Sequence, residues 1–451
     1  MVFFNIVFSC CKVERLLVSL FLKRNIGCLG CFETNFYTSL YVFDKTLNRY
    51  LPFALLYFFF NSLGLPFGLT YTALLAPFFY WWILNLRGKE VLLPFFVIAF
   101  PIVFMQIVFV GVDNKIYLTS LLNLAAVYIF CQAFFTFLKK CKDPESIFKK
   151  IVIINFILCL IAIPFYFTSY SWFFWFNQTL TEGISDFERL RLFTYEPSYY
   201  ATLFVPFLFF FFLEIVLGQN KTNAWLLLPM IVLPYILSFS LGVIASILLS
   251  LVFVFIFYFG RLIVKKPVIN LLLLSTVVII PFLVIFVFAF PGNTFLFRIE
   301  NIFSGHDSSG NGRTFEAFFL SMKILALKSQ AWGIGIGQIK VIGTDIIKDF
   351  YLYPVDYKTV AIPNATAETL TLFGFVGLFF RFAVEIFLFF YTKVWKNYYR
   401  LLLFIFMFVY QFSGSFITNI AEYVIWILAF TNVFKQFDVL QEKQAALPLY
   451  E

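Results

Sequence analysis

Long uninterrupted apolar runs, separated by short polar or charged joins, dominate the chain. A run of roughly 17 to 25 apolar residues crosses a hydrocarbon core about 30 Å thick as a helix, and inside lipid only helices or closed barrels satisfy their own backbone groups. Barrel strands alternate apolar and polar positions, whereas runs such as Leu203 to Val216 are continuous. The pattern predicts an all-α polytopic integral membrane protein with about 12 transmembrane helices, near 47–65, 67–86, 91–112, 116–138, 151–171, 197–217, 224–239, 241–259, 268–290, 365–390, 401–417 and 419–434. Loops longer than roughly 12 to 15 residues are uncommon without a role. Only 172–196 and 291–364 on the outer side are that long, and the second is predicted to contain short helices. The plan is then a cytoplasmic segment 1–46, helices one to five over 47–171, loop 172–196, helices six to nine over 197–290, loop 291–364, helices ten to twelve over 365–434 and a cytoplasmic tail 435–451.

Composition supports the membrane class, with 62% hydrophobic and 13% charged residues. The 70 Phe residues face lipid as well as Leu would, so they carry no function of their own. Basic residues flanking spans stay on the cytoplasmic side. With both termini inside, that side holds most of the 33 Lys and Arg residues, including Lys139, Lys140, Lys142, Lys149 and Lys150 in one loop and Arg261, Lys265 and Lys266 in another. The net charge of +9 is therefore topological and argues for no nucleic-acid partner. Cys10, Cys11, Cys28, Cys31 and Cys141 fall inside and Cys131 and Cys159 within spans, so no disulfide framework is implied. Cys28-Leu-Gly-Cys31 has zinc-ligand spacing but no matching second pair. Residues 1–42 read as neither a cleavable signal sequence nor a strong span.

Loop 172–196 ends in Tyr195-Glu196-Pro197-Ser198-Tyr199-Tyr200 at the start of the sixth span, and Trp172, Trp175, Asp186, Glu188, Arg189 and Arg191 precede it. A guanidinium donates two parallel hydrogen bonds and keeps its charge, which suits a phosphate. Arg189 and Arg191 therefore either grip a lipid diphosphate or meet headgroups and Glu188 or Glu196. Trp172 and Trp175 fit an interfacial belt or a sugar-stacking platform. Asp186-Phe-Glu188 has the form of a divalent-metal pair, but two acids in an ion-rich loop do not specify a site, and no metal or other cofactor is predicted.

In the second loop Phe315, Phe318, Phe319, Met322, Leu325 and Ala326 recur at helical spacing, predicting a helix over 314–330. Arg313 then sits at its N-terminus, where free N–H groups and the helix dipole already favour an anion. Gly333-Ile-Gly335-Ile-Gly337 follows no strand, so it reads as a turn leading back to the membrane and not as a nucleotide loop. His306, the only histidine, is a surface residue or a base; Glu196 and Glu368 compete for the base's role. Arg381 and Glu385 stand four apart in the tenth span and predict an intramembrane ion pair.

Arg191-Leu-Phe-Thr-Tyr-Glu196-Pro197-Ser198, Ser238-Phe-Ser240-Leu-Gly242, Arg313 to Trp332-Gly-Ile-Gly335-Ile-Gly337, and Asn364 with Gly374-Phe-Val-Gly377 together resemble the bacterial O-antigen polymerase and O-antigen ligase superfamily over about 190–430. The resemblance implies a GT-C-like membrane glycosyltransferase that takes glycan from undecaprenyl pyrophosphate at the periplasmic face of the inner membrane, without a metal or nucleotide sugar. It implies the lipid-linked glycan and the bilayer as partners, with a chain-length regulator and a flippase beside them. The ligase branch carries a His immediately before the Asn. Here Pro363 stands there, which favours the polymerase branch.

On that basis the catalytic candidates are Arg191 and Arg313, which would hold the departing diphosphate, and Glu196 as base. Arg189, Tyr199, His306, Asn364 and Glu368 are the substrate-binding candidates, and Tyr351, Tyr353 and Tyr357 could stack along a glycan. The expected function is a polymerase extending a lipid-linked repeat unit. The alternatives are an O-antigen ligase acting on lipid A-core, and a lipid-linked oligosaccharide flippase or transporter.

Overall fold

The computed structural model describes residues 62, 65, 70–87, 91–178, 187–218, 224–258, 300, 304, 312–351 and 361–439. These are mostly helical, and five helices are long and apolar enough to cross a membrane. We label the helices α1 (Tyr71–Leu74), α2 (Ala76–Arg87), α3 (Leu92–Met105), α4 (Asn114–Lys140), α5 (Pro144–Tyr166), α6 (Pro197–Val216), α7 (Ala224–Ser238), α8 (Leu241–Phe257), α9 (Phe315–Leu325), α10 (Thr344–Tyr351), α11 (Ala365–Tyr391), α12 (Tyr398–Tyr410) and α13 (Ile420–Phe430). The five are α3 with its π-helical extension Gln106–Val110, α4, α5, α6 and α11 running on to Lys396. Most of α7 together with α8, α12 and α13 are shorter apolar helices. The expected span 268–290 and nearly all of 47–65 lie outside the described residues.

Helix starts follow local chemistry. Asp113 caps α4 by accepting from Ile116 N at 2.9 Å, and Asp143 caps α5 by accepting from Ser146 N at 3.0 Å, with Pro144 in the first turn, where its missing N–H costs nothing. The fifth helix therefore begins well before the predicted 151. The predicted span 401–417 also needs correction: α12 stops at Tyr410, and a polar turn through Gln411, Ser413, Gly414 and Ser415 leads to Asn419, which caps α13. The loop predicted over 172–196 departs from the all-helical expectation. Trp175–Gln178 (β1) pairs antiparallel with Phe187–Leu190 (β2), Phe176 opposite Arg189.

α6 and α13 form the centre of the bundle, every residue of α13 being buried. α12 packs on α6, α8 and α13, α4 on α2 and α13, and α7 on α5 and α6. The most apolar window of α6 is 83% buried against 22% for α3, so α6 is a core helix and α3 presents its surface to lipid. Phe serves both places: Phe204, Phe209 and Phe210 are buried in the core, while Phe96, Phe100 and Phe104 point outward from α3.

α11 is broken. Gly374, nine residues after its start and about 14 Å along at 1.5 Å per residue, has φ 66° and ψ −167°. A Cβ there would lie 2.3 Å from the Ala331 carbonyl oxygen, so only glycine fits. The freed backbone groups pair with the Gly-rich segment: Phe375 N donates to Gln330 O, Val376 N to Ala331 O, Ile334 N to Thr371 O and Gly335 N to Leu372 O, all at 3.0–3.1 Å. Gln106 Nε2 adds bonds to the carbonyls of Leu372 (2.7 Å) and Trp332 (2.9 Å). The 333–337 turn thus docks into the helix break, and non-helical backbone is buried against protein as the membrane interior requires.

The loops segregate to two ends. Lys139 and Lys140 close α4 at the end where Gln436 meets Glu145, whereas the β-hairpin, Arg313 and the starts of α6, α11 and α13 lie at the other.

Candidate functional site

At that second end three chain segments meet. Glu196 occupies the N-cap position of α6 in extended conformation, just before Pro197. Arg313 immediately precedes Thr314, the N-cap of α9. Asn364 caps α11 by accepting from Ala367 N at 2.8 Å, and its Nδ2 donates to the carbonyls of Arg313 (2.8 Å) and Phe412 (2.6 Å). Asn364 is thereby a clamp that fixes the backbone of Arg313 against two helix ends. The first turn of α11 is tied to the α12–α13 turn as well, through Ala365 N to Gly414 O at 3.1 Å and Ile417 N to Glu368 Oε2 at 2.7 Å.

These contacts frame a small open cleft lined by Tyr195, Glu196, Ser198, Tyr199, Arg313, Pro363, Tyr410, Ser415, Phe416 and Asn419. Arg313 Nη2 lies 3.4 Å from Glu196 Oε1, which also accepts from Ser198 Oγ. The N-termini of α6 and α9 add positive potential to that of the guanidinium, so the spot held by the Glu196 carboxylate favours an anion on three counts. Tyr195 and Tyr199 stack at 4.6 Å and wall the cleft. Burial, reinforced by neighbouring Tyr199 and Glu196, pushes the Tyr195 phenol well above its ordinary range, so it stays a neutral donor. Among the described residues the buried Tyr199 hydroxyl has no hydrogen-bond partner, which makes it a spare donor beside the cleft.

Of the predicted site residues, Arg313, Glu196 and Tyr199 come together here, and Asn364 and Glu368 stand directly behind. Arg189 and Arg191 do not line the cleft. Arg189 is buried and donates from Nε to Ser238 O at 3.1 Å, holding β2 against the end of α7. Arg191 Nη2 donates to Trp172 O at 2.7 Å, its guanidinium lies over the Phe176 ring, and burial lowers its pKa from the ordinary value. Trp172 is exposed, and Trp175 is buried with its indole donating to Ala162 O. Glu188 accepts from Ser171 Oγ at 3.0 Å. His306, Asp186, Tyr353 and Tyr357 lie outside the described residues. Among the described residues no group of three or more His, Cys, Asp or Glu is placed to hold a metal ion.

The α9 helix ends at Leu325, short of the predicted 330, and a bridge between Ser329 and Gly333 opens the docked turn. Sequence reasoning missed Tyr410, Ser415, Phe416 and Asn419, because the predicted spans 401–417 and 419–434 absorbed the turn that presents them. The signal was Gln411-Phe-Ser413-Gly414-Ser415, too polar for the end of a lipid-facing helix.

Behind this turn lies a second polar cluster. Arg381 donates to Gln411 Oε1 (2.8 Å), Thr369 Oγ1 (3.0 Å) and Glu422 Oε1, and its Nε is 3.2 Å from Glu385 Oε1. The predicted Arg381–Glu385 pair is present, enlarged by Glu422 from α13. Ser415 Oγ donates to Glu422 Oε2 at 2.8 Å and accepts from Asn419 Nδ2 at 3.0 Å.

Set beside known proteins, the chain matches no family model. A search of curated proteins likewise gives no match. The functional reading consequently rests on the geometry of the two clusters.

Proposed function

We propose that this chain is a polysaccharide polymerase of the O-antigen polymerase type, moving a growing glycan from a lipid diphosphate to a lipid-linked repeat unit at the periplasmic face of the inner membrane. The observation that carries the reading is the Arg313–Glu196 pair at the meeting point of two helix N-termini, at the mouth of a bundle built from apolar helices. In the transfer an acceptor hydroxyl attacks the anomeric carbon, the bond from that carbon to the diphosphate oxygen breaks, and the diphosphate leaves with the electron pair. Arg313 and the helix ends hold the charge that develops on it, the type of electrostatic help that usually dominates such steps. Glu196 takes the hydroxyl proton. A diphosphate at Arg313 would displace the carboxylate from the guanidinium and so free Glu196 for that role.

Pro363 lines the cleft at the position where the resembling ligases carry His, and a pyrrolidine ring neither donates nor accepts a proton. This supports polymerisation over transfer to lipid A-core. A second reading, a lipid-linked oligosaccharide transporter, is favoured by two other observations: the break of α11 at Gly374 and the buried charges of Arg381, Glu385 and Glu422. Broken helices and buried ionisable groups are features of transport proteins.

The deciding experiment reconstitutes the full chain in liposomes with a synthetic lipid-linked repeat unit on one leaflet. New glycosidic bonds without any other enzyme are expected. Translocation with no lengthening of the glycan would replace the polymerase by the transporter, and labelling of added lipid A-core would replace it by the ligase.

A further inference from the structure

Arg381, Glu385 and Glu422 are all buried, and Glu368 lies within electrostatic reach of Glu422 and Arg381. The groups facing them are Tyr410 at the end of α12, Gln411 in the turn after it, Tyr423 from α13, Cys131 from α4, Tyr195 before α6 and Thr369 on α11 itself. Arg381 is the one cation among these. Three ionised carboxylates and one guanidinium sum to −2 (−3 + 1), and an uncompensated charge inside a membrane bundle is strongly unfavourable.

Glu385 shows where the imbalance falls. Its Oε2 accepts from Gln411 Nε2 at 2.9 Å, whereas the buried Oε1 lies 3.2 Å from Arg381 Nε, whose N–H is directed to Gln411, so that among the described residues Oε1 has an ion-pair neighbour but no hydrogen bond. Independently, Ser415 links this cluster to the cleft. It lines the cleft, gives its proton direction to Glu422 and is held there by Asn419. Its φ of 67° is a left-handed conformation uncommon for a residue other than glycine, and such strain persists where the surroundings enforce it. A hydroxyl that donates to Glu422 and accepts once from Asn419 retains one lone pair for a donor in the cleft.

We propose that the Arg381–Glu385–Glu422 cluster, with Glu368 beside it, is a proton-binding site that exchanges protons with the cleft through the Ser415 hydroxyl. A hydronium ion in the cleft gives a proton to Ser415 Oγ and is left as water, while Ser415 gives its own proton to Glu422 Oε2. One O–H bond breaks and one forms at each transfer, Ser415 ends as it began, and the cluster's charge rises from −2 to −1. The site stands whether the cleft transfers glycan or passes it across the membrane, since neither process enters the argument.

The test needs no glycan substrate. Infrared spectra of the full chain in lipid nanodiscs at neutral pH are expected to show the carbonyl stretch of a protonated carboxylic acid, and Glu368→Gln, Glu385→Gln or Glu422→Gln should reduce it. A wild-type spectrum without that band at neutral pH overturns the proposal, as does a band that none of the three variants alters. On transfer to deuterated buffer the band should shift, and Ser415→Ala should slow the shift by about a hundredfold, the low end of what a positioned proton-transfer group contributes. Exchange at the wild-type rate in Ser415→Ala would remove Ser415 from the path.

Discussion

Arg313 and Arg381 both meet glutamates near the same end of the bundle, yet they sit in opposite settings. The Arg313 and Glu196 side chains are 27% and 17% exposed, 3.4 Å apart, and Arg313 makes a single side-chain hydrogen bond among the described residues. Arg381 is 9% exposed, its partners Glu385 and Glu422 are 0% and 1% exposed, and it donates to three different side chains. A guanidinium has five N–H donors. Arg381 is engaged on nearly every side by protein, whereas Arg313 keeps donors for something the cleft admits. The same pairing of residue types is a fixture of the fold in one place and an open binding element in the other.

The comparison breaks most visibly if the two arginines are truncated in turn. Arg381→Ala strands two buried carboxylates and should cost about 3–5 kcal/mol, the range for removing one partner of a buried pair. The check is unfolding of the detergent-solubilised protein followed by heat or denaturant. Wild-type stability in this variant would mean that the cluster is already neutral without its arginine, and the contrast with Arg313 would vanish.

Arg313→Ala should do the reverse. A partly exposed pair contributes up to about 1 kcal/mol to stability, so the variant should unfold much like wild type. Losing a preorganised donor to developing charge costs about 10²–10³ in rate, and glycan lengthening in the reconstituted assay should fall by that factor. Arg313→Lys, which keeps the charge but not the fork, should fall between.

Asn364 sharpens the comparison because it holds Arg313 without lining the cleft. Asn364→Ala removes a helix cap, worth about 1 kcal/mol, and leaves two carbonyls without their donor. Asn364→Asp keeps the cap acceptor but turns a carboxylate oxygen toward the Arg313 and Phe412 carbonyls in a fully buried place. It should therefore cost at least as much stability as Asn364→Ala, with turnover lowered in both variants. Unchanged turnover in Asn364→Asp would show that the backbone of Arg313 needs no clamp.

What the sequence disclosed and withheld follows from separation along the chain. The i,i+4 spacing announced Arg381 with Glu385, but Glu422 arrives from a helix 41 residues on, and no periodicity links them. Arg313 and Glu196 were each legible as cations or acids at predicted helix starts, while their meeting across 117 positions was not. The break at Gly374 was hidden because the apolar run continues through it unchanged. Only the docked turn, with Gly333 so close that a Cβ would lie 2.4 Å from the Leu372 carbonyl carbon, reveals why glycine stands at both places. Arg189 shows the opposite error. Its charge in a loop suggested a ligand, whereas the fold buries it against the end of α7.

Arg191 gives the smallest expected effect and separates two views of the hairpin. Among the described residues its side chain donates one bond, exposed, to the Trp172 carbonyl and its buried Nε has no partner, and burial already disfavours its charge. Water replaces an exposed hydrogen bond at little cost, so Arg191→Ala should change stability by about 0.5 kcal/mol or less, and lengthening by about twofold at most. Thermal unfolding and the reconstituted assay measure both in one preparation. If stability holds but the rate falls as far as in Arg313→Ala, then Arg191 reaches the diphosphate after all. The β1–β2 hairpin must in that event swing toward the cleft when substrate binds, because in the present arrangement the guanidinium faces Trp172 and Phe176.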